Sequence, residues 1–262
     1  MIIFFSGTGN TRYCSEGLAV RLGEALHELS PAELREPSRC TLPFGTDDKR
    51  VVWCFPTYSW GMPPVMANYI AKVQIGDRAA NAVHYMLATC GDDTGYTDKQ
   101  WRKAIADRGL VAAGAFEVIM PNTYVLMKGF DVDKPETAAG KIEKSESALD
   151  SIADAIEGGG SDILHRGRFA WIKSNIIYPW FIRHAMSPKP FRATEGCVEC
   201  GICARTCPMA NISMEKGMPQ WGEDCAMCLR CYHSCPRHAV AYGRATGGKG
   251  QYLCHVRPIK SR

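Results

Sequence analysis

Ile2-Ile3-Phe4-Phe5-Ser6-Gly7-Thr8-Gly9-Asn10-Thr11 sets a short apolar run directly against a loop of hydroxyls and glycines, and the pattern then turns helical through about Leu22. A strand that empties through such a loop into a helix is the repeating unit of a parallel sheet. Further apolar runs lie at Val51 to Phe55, Ala82 to Ala88 and Leu110 to Met120, with Ala25 to Leu29 a weaker second strand. Helical patterns fall between them, at roughly Pro63 to Val73 and Asp98 to Arg108, and a last one runs from about Lys134 to Glu157. The alternation predicts an α/β domain over residues 1–158, a parallel sheet covered by helices on both faces. In open sheets of this kind, ligands bind beyond the carboxyl ends of the strands.

Three loops leave those ends. The first, Ser6 to Thr11, would aim backbone N–H groups and hydroxyls at the positive end of the following helix, an arrangement that suits a phosphate. No lysine follows its glycines, and Arg12 stands where a dinucleotide fingerprint would need a third glycine. The loop therefore suits a phosphate monoester and not a triphosphate or pyrophosphate; taken alone, these residues would equally serve as a plain turn. The second loop is Pro56-Thr57-Tyr58-Ser59-Trp60-Gly61, running on through Met62-Pro63-Pro64. The third is Thr89-Cys90-Gly91-Asp92-Asp93-Thr94-Gly95-Tyr96. Their aromatic rings could stack on a planar heterocycle or could belong to the core.

Near the other end, eight of the thirteen cysteines form two copies of one pattern: Cys197, Cys200, Cys203 and Cys207 followed by Pro208, then Cys225, Cys228, Cys231 and Cys235 followed by Pro236. Both read C-x2-C-x2-C-x3-C-P, the run with which bacterial ferredoxins hold two [4Fe–4S] clusters. Each cysteine of the first copy recurs 28 positions later, which marks an internal duplication. In that pattern three thiolates wrap one cluster and the fourth serves the other. Cys197, Cys200, Cys203 and Cys235 are thus expected on one cluster, and Cys225, Cys228, Cys231 and Cys207 on its partner. Val198, Gly201, Ile202, Met227 and Leu229, between the ligands, suit a shielded inorganic core. Structural zinc does not need a third and fourth cysteine at this spacing twice over. Disulfides would imply secretion, whereas Met1 to Ser6 carries no basic or long apolar leader; a cytoplasmic location is the expectation.

The first loop, with the other two, resembles the phosphate loop and flavin-flanking loops of a flavodoxin. The resemblance implies a flavodoxin-like, doubly wound, five-stranded parallel sheet. It also implies an FMN whose phosphate sits on Ser6, Gly7, Thr8, Gly9, Asn10 and Thr11. The isoalloxazine ring would lie between Pro56–Gly61 and the segment of Thr89, Cys90, Gly91, Gly95 and Tyr96, with Trp60 and Tyr96 as stacking rings. The whole chain then resembles flavodoxin–ferredoxin fusions of anaerobic bacteria and archaea, to which Gly217-Met218-Pro219-Gln220-Trp221-Gly222 and Gly250-Gln251-Tyr252 also conform. That implies a small α+β two-cluster ferredoxin domain behind the sheet.

The 262 residues suffice for two domains, and 46% hydrophobic against 22% charged residues is an ordinary globular balance. Residues 1–160 carry 16 Lys+Arg against 21 Asp+Glu, and the remainder 15 against 6, so a net charge of −5 faces one of +9. No nucleic-acid motif accompanies the basic half; its excess offsets buried cluster charge and helps dock an acidic partner. No apolar run approaches the ~18 residues that span a bilayer. The expected divisions are 1–158 for the flavin domain, 159–190 for a linker or packing segment, 191–243 for the ferredoxin domain and 244–262 for a tail. Gly158-Gly159-Gly160-Ser161 reads as a flexible break. The aromatic and basic stretch after it reads either as a membrane-surface segment or as a scaffold between the domains; packing is preferred, because a fixed spacing favours electron transfer. Cys14 and Cys54 read as buried packing residues, Cys90 as a neighbour of the flavin, and His233 as either a cluster-tuning group or an idle surface residue. The function expected is a relay between FMN, two [4Fe–4S] clusters and an external redox protein. A ferredoxin-fed FMN reductase of a small substrate is the alternative, and a non-redox sensor or scaffold a third.

Overall fold

The computed structural model describes residues 1–255 and 258. Its first half runs β1 (Ile2–Phe4), α1 (Asn10–Leu22), β2 (Leu26–Glu28), α2 (Pro31–Arg35), β3 (Arg50–Pro56), α3 (Pro64–Lys72), α4 (Asp77–Ala80), β4 (Val83–Cys90), α5 (Thr97–Ala106), β5 (Val111–Ile119) and α6 (Pro135–Glu157). The five strands form one parallel sheet in the order β2-β1-β3-β4-β5. The chain steps outward from β1 in both directions, so the switch point lies between β1 and β3, where the loops after them converge.

Strands covered on both faces need apolar residues at successive positions, which is why β3 and β4 are near-continuous apolar runs. Their two-residue period divides the core. Ile3, Trp53 and Met86 face one cluster with Met66, Trp101 and Ile105 from α3 and α5. Ile2, Val52 and Leu87 face the other with Leu18, Leu149 and Ile152 from α1 and α6.

The glycine run at 158–160 is not a free spacer. Gly158 and Gly160 donate back to Asp154 and Ala155 of α6 at 2.9 and 2.7 Å, and Gly159 and Gly160 take φ of 93° and 86°. The left-handed backbone that only glycine adopts cheaply ends the helix and reverses the chain. The chain then lies along β5, with Ile163 N–H on Ala115 O at 3.1 Å and Glu117 N–H on Ile163 O at 3.0 Å.

The second half continues with α7 (Ala170–Ile172), a π-turn (Lys173–Ile177) and α8 (Tyr178–His184) as one helical stretch. Its Ala170, Ser174 and Phe181 are buried, while Trp171, Ile176 and Trp180 are exposed. It therefore packs on one side and leaves the other exposed. After it come β6 (Phe191–Ala193), α9 (Ile202–Arg205), β7 (Ile212–Glu215), β8 (Met218–Trp221), α10 (Arg230–His233) and β9 (Val240–Tyr242). β6 pairs with β9 and β7 with β8, both antiparallel. A third core gathers Phe191, Ile212, Tyr232 and Val240 with Val125 and Leu126 from the loop after β5. Of the expected tail, residues 256, 257 and 259–262 lie outside the described residues.

His84 is fully buried in β4, taking the Trp53 Nε1–H on Nδ1 at 3.0 Å and giving its Nε2–H to Ala79 O at 3.0 Å. Burial lowers its pKa. Above the unfolded-chain value of about 6.5, neither state is charged and no penalty arises. Below it the unfolded chain binds a proton that folded His84 refuses, so stability falls with pH by at most about 1.4 kcal/mol per unit. The drop in denaturant midpoint from about pH 7 to about pH 5 should be larger in the natural chain than in His84→Gln, whose side chain does not titrate.

Candidate functional site

At the carboxyl end of the sheet a cavity opens, about 880 Å³ including its mouth. Its floor is the turn from β1 into α1. Ser6 Oγ accepts the N–H groups of Gly9 and Arg12 at 3.2 and 3.3 Å, curling the loop, and Gly9 at φ 98° delivers the chain into the helix. α1 has no side-chain cap and no acidic residue in its first turn, so its positive end is left for an anion. Thr11 Oγ1 meets Thr89 Oγ1 at 2.8 Å, and Thr57 N–H reaches Thr89 O at 2.7 Å, which fastens the three loops together.

Of the residues expected from sequence, Ser6, Gly7, Thr8, Asn10, Thr11, Pro56, Thr57, Tyr58, Ser59, Thr89, Cys90 and Gly91 line this cavity. Gly9, Trp60, Gly61, Gly95 and Tyr96 do not. Gly9 is covered by Cys254, whose N–H donates to Thr8 O at 2.9 Å. Ser59 and Trp60 are both left-handed, at φ 46° and 63°, in a two-residue turn closed by reciprocal bonds between Tyr58 and Gly61. That turn gives Tyr58 to the cavity and sends Trp60 to the 170–184 helix, where the Lys173 ammonium stands 4.8 Å from its ring. Tyr96 is held the same way: its N–H donates to Ser174 Oγ at 2.7 Å, and Arg166 and Lys99 stand over its ring. Tyr178 covers Gly61 and donates to Met62 O at 2.6 Å.

The rings in the wall are instead Tyr58, Tyr124 and Phe181. Asn122, Thr123 and Tyr124, on the loop after β5, were missed by sequence reasoning. The position of that loop at a strand's carboxyl end was the available signal. Asn10 Oδ1, Thr57 Oγ1 and Tyr58 OH are buried without hydrogen-bond partners among the described residues, a cost that a polar ligand would remove. An uncapped helix end, unsatisfied hydroxyl and amide groups and aromatic walls together fit a ligand with an anionic end, a hydroxylated middle and a planar end.

Two smaller cavities lie in the second half. One, about 370 Å³, is lined by Cys197, Cys200, Cys203 and Cys235; the other, about 320 Å³, by Cys207, Cys225, Cys228 and Cys231. Each takes its fourth thiol from the other copy of the pattern. None of the cysteines is in a disulfide, and among the described residues no three His, Cys, Asp or Glu side chains converge closely enough for a single metal ion. Thiols spaced around a cavity suit a multi-iron cluster better than zinc.

The duplication extends to the backbone. Glu199, Gly201 and Ala210 are left-handed at φ 56°, 68° and 46°, and 28 residues on Met227, Leu229 and His238 repeat this at 51°, 61° and 51°. Five of these six are not glycine, so the conformation carries strain. It bends the chain tightly around the thiols and turns N–H groups toward them. Asn211, Met227 and Ala239 donate to the sulfurs of Cys207, Cys225 and Cys235 at 3.4, 3.3 and 3.2 Å. Burial pushes the Cys225 thiol up to about 11 and the Cys228 thiol up to about 12. The buried Trp221 Nε1–H has no nitrogen or oxygen partner and partly offsets the burial that raises the Cys231 thiol.

The large cavity and that of the second quartet share a wall, to which Cys228 and Leu229 contribute. A Cβ placed on Gly7 would sit 2.6 Å from Cys228 O and 2.9 Å from its Cβ. Burial raises the Tyr58 phenol well above its usual value, and the Cys228 and Cys225 thiols add to the rise. His233 is neither idle nor exposed: its Nε2–H donates to Thr123 O at 2.8 Å and its Nδ1 accepts the Tyr252 N–H at 3.2 Å. It joins the second cysteine run to the cavity loop and to the tail.

The strand order makes the sheet flavodoxin-like. No family model matches the chain. Over 72 residues it is 32% identical to the "Putative electron transport protein YccM" of Escherichia coli strain K12, covering 26% of this chain and 20% of that protein. The chain thus spans about a fifth of the length of the curated relative it matches. Among solved structures it is similar to the flavodoxin of Streptococcus pneumonia TIGR4, at 14% identity over 57% of this chain and 96% of that one, with a TM-score of 0.33. It is also similar to the Trp repressor binding protein from Bacillus subtilis, at 14% identity over 57% and 95% of the two chains, with a TM-score of 0.38.

Gly7→Ala should force the first loop and the Cys228 backbone apart, at a cost of about 1–3 kcal/mol. The expected readouts are a lowered denaturant midpoint and faster proteolysis between the sheet and the cysteine runs. In Gly140→Ala the new methyl, inside α6, meets nothing within 4 Å, and stability should hold or rise.

Proposed function

We propose that this chain is an electron-transfer iron–sulfur flavoprotein, holding FMN in the large cavity and a [4Fe–4S] cluster in each cysteine-lined cavity. The observation that carries the reading is the shared wall: Cys228 lines both the large cavity and that of the second quartet. The short match to an electron transport protein agrees with it.

Ser6, Thr8 and Thr11, with the first amides of α1, would hold the phosphate. Asn10 and Thr57 would satisfy the hydroxylated chain with the polar atoms now lacking partners. Tyr58, Tyr124 and Phe181 would cover the ring and keep water from it. FMN supplies a couple that exchanges two electrons in single steps, and each cluster exchanges one. Around the thiolates, the N–H groups of Asn211, Met227 and Ala239 stabilise negative charge, and the apolar lining shields it. The quartet of Cys207, Cys225, Cys228 and Cys231 adjoins the flavin cavity, whereas the other reaches solvent at Cys200 and beside exposed Val198. That edge is the natural contact for an external redox protein. In domain terms, residues 1–158 bind the flavin, 159–190 pack against it, 191–243 bind the clusters, and Cys254 of the following segment closes over the phosphate loop.

Protein purified without oxygen should contain about eight irons per chain and one FMN, and both kinds of centre should change oxidation state during stepwise reduction followed by visible and EPR spectroscopy. Cys200→Ser should lose the signal of one cluster and leave the flavin intact. Iron without flavin, even after incubation with FMN, would favour a sensor or scaffold.

A further inference from the structure

Residues 163–194 contain six Lys and Arg and no Asp or Glu. Within them the helical stretch from Ala170 to His184 has a buried face and an exposed apolar one. The inner one, Ala170, Ser174 and Phe181, is buried against the flavin-type cavity and its loops. The outer one is Ile172, Ile176 and Trp180, which are 42%, 54% and 54% exposed, with Phe169, 67% exposed, just before the helix. The spacing of four residues keeps Ile172, Ile176 and Trp180 on one side, and exposed Trp171 and Ile177 widen the patch. Side chains of this size gathered on one exposed face mark a contact surface.

Arg168, Arg183 and Lys189 are exposed around this face, and no ion pair holds them among the described residues. Lys173 and Arg166, by contrast, are engaged by Asp93 and Asp98 at 2.5 and 2.7 Å. A second copy of the chain would set one basic patch against another, since a two-fold contact pairs each surface with itself. An apolar stripe bearing tryptophan, ringed by unopposed cations, matches an interfacial membrane helix. No helix among the described residues is long and apolar enough to cross a bilayer.

We propose that this face binds the surface of an anionic lipid bilayer, with the helix lying in the interface plane. Phe181 and Ala185, on the inner side, line the large cavity, so the docked element is also one that walls the cavity. The proposal stands on the helix alone and holds whatever the cavity contains.

The test is flotation of the full chain with phosphatidylcholine vesicles, with and without phosphatidylglycerol. The chain should float with the anionic vesicles, less so at high salt, and not with the neutral ones. Each exposed cation removed should weaken partition about fivefold, and the double variant Arg168→Glu, Arg183→Glu should weaken it more than additively neutral changes would. Trp180→Ser should lose about tenfold. All three positions are exposed, so unchanged circular dichroism and melting verify that the variants fold. Failure to float with anionic vesicles, or partition indifferent to both variants, overturns the proposal. So does a concentration-dependent dimer that Trp180→Ser abolishes, which would make the face an interface between copies.

Discussion

A missing side chain at Gly7 holds the two halves of this protein together. Because no Cβ projects there, the backbone of Cys228 settles directly onto the loop that leaves β1. Met227, Cys228 and Leu229 of one cysteine run thereby become a wall of the cavity at the switch point of the sheet. Other contacts fix the angle of approach. His233 binds Thr123, Cys254 binds Thr8, and Tyr232 donates its hydroxyl to the tail at Lys249 and Gly250. Each involves backbone, so the registration depends on chain path more than on side-chain identity.

The path around the thiols has its own source. A backbone that must coil within a few residues needs left-handed positions, and here they fall at the same three places in each copy of the repeat. Using Glu199, Met227 and Leu229 at such positions in place of glycine costs conformational energy in each case. The arrangement persists because neighbouring structure over-determines it. Short helices α9 and α10 begin directly after Gly201 and Leu229, and N–H groups turn onto the sulfurs. The strain thus lies where the chain presents N–H donors to the cysteine sulfurs.

Much of this was legible in the sequence, for reasons that differ between the halves. The sheet could be read because parallel strands buried on both faces leave unbroken apolar runs, and glycine loops punctuate them. The grouping of the cysteines into two quartets could be read because a repeated spacing constrains chain path. Which rings face the cavity could not be read. Trp60 and Tyr58 stand two residues apart in one loop, and only the left-handed turn between them decides which points inward. Tyr124 and Phe181 come from segments brought together by tertiary packing. Gly158 to Gly160 misled for a related reason, since glycine serves a flexible spacer and a sharp reversal equally well. The φ values, which composition does not reveal, distinguish the two.

The helix at 170–184 shows how far one element can be committed to two tasks. Its π-turn at Lys173–Ile177 widens the helix where Lys173, Ser174 and Tyr178 reach toward Asp93, Trp60 and Met62. These contacts fasten the second and third loops from outside, so the inner face supports the cavity wall without entering its chemistry except through Phe181. With that face occupied, a helix of a water-facing protein would carry polar residues outward. Apolar residues there instead keep apolar surface in water, at about 25 cal/mol per Å². The support of the cavity and the exposed stripe share one rigid element, so any surface that covers the stripe also bears on the loops that shape the cavity.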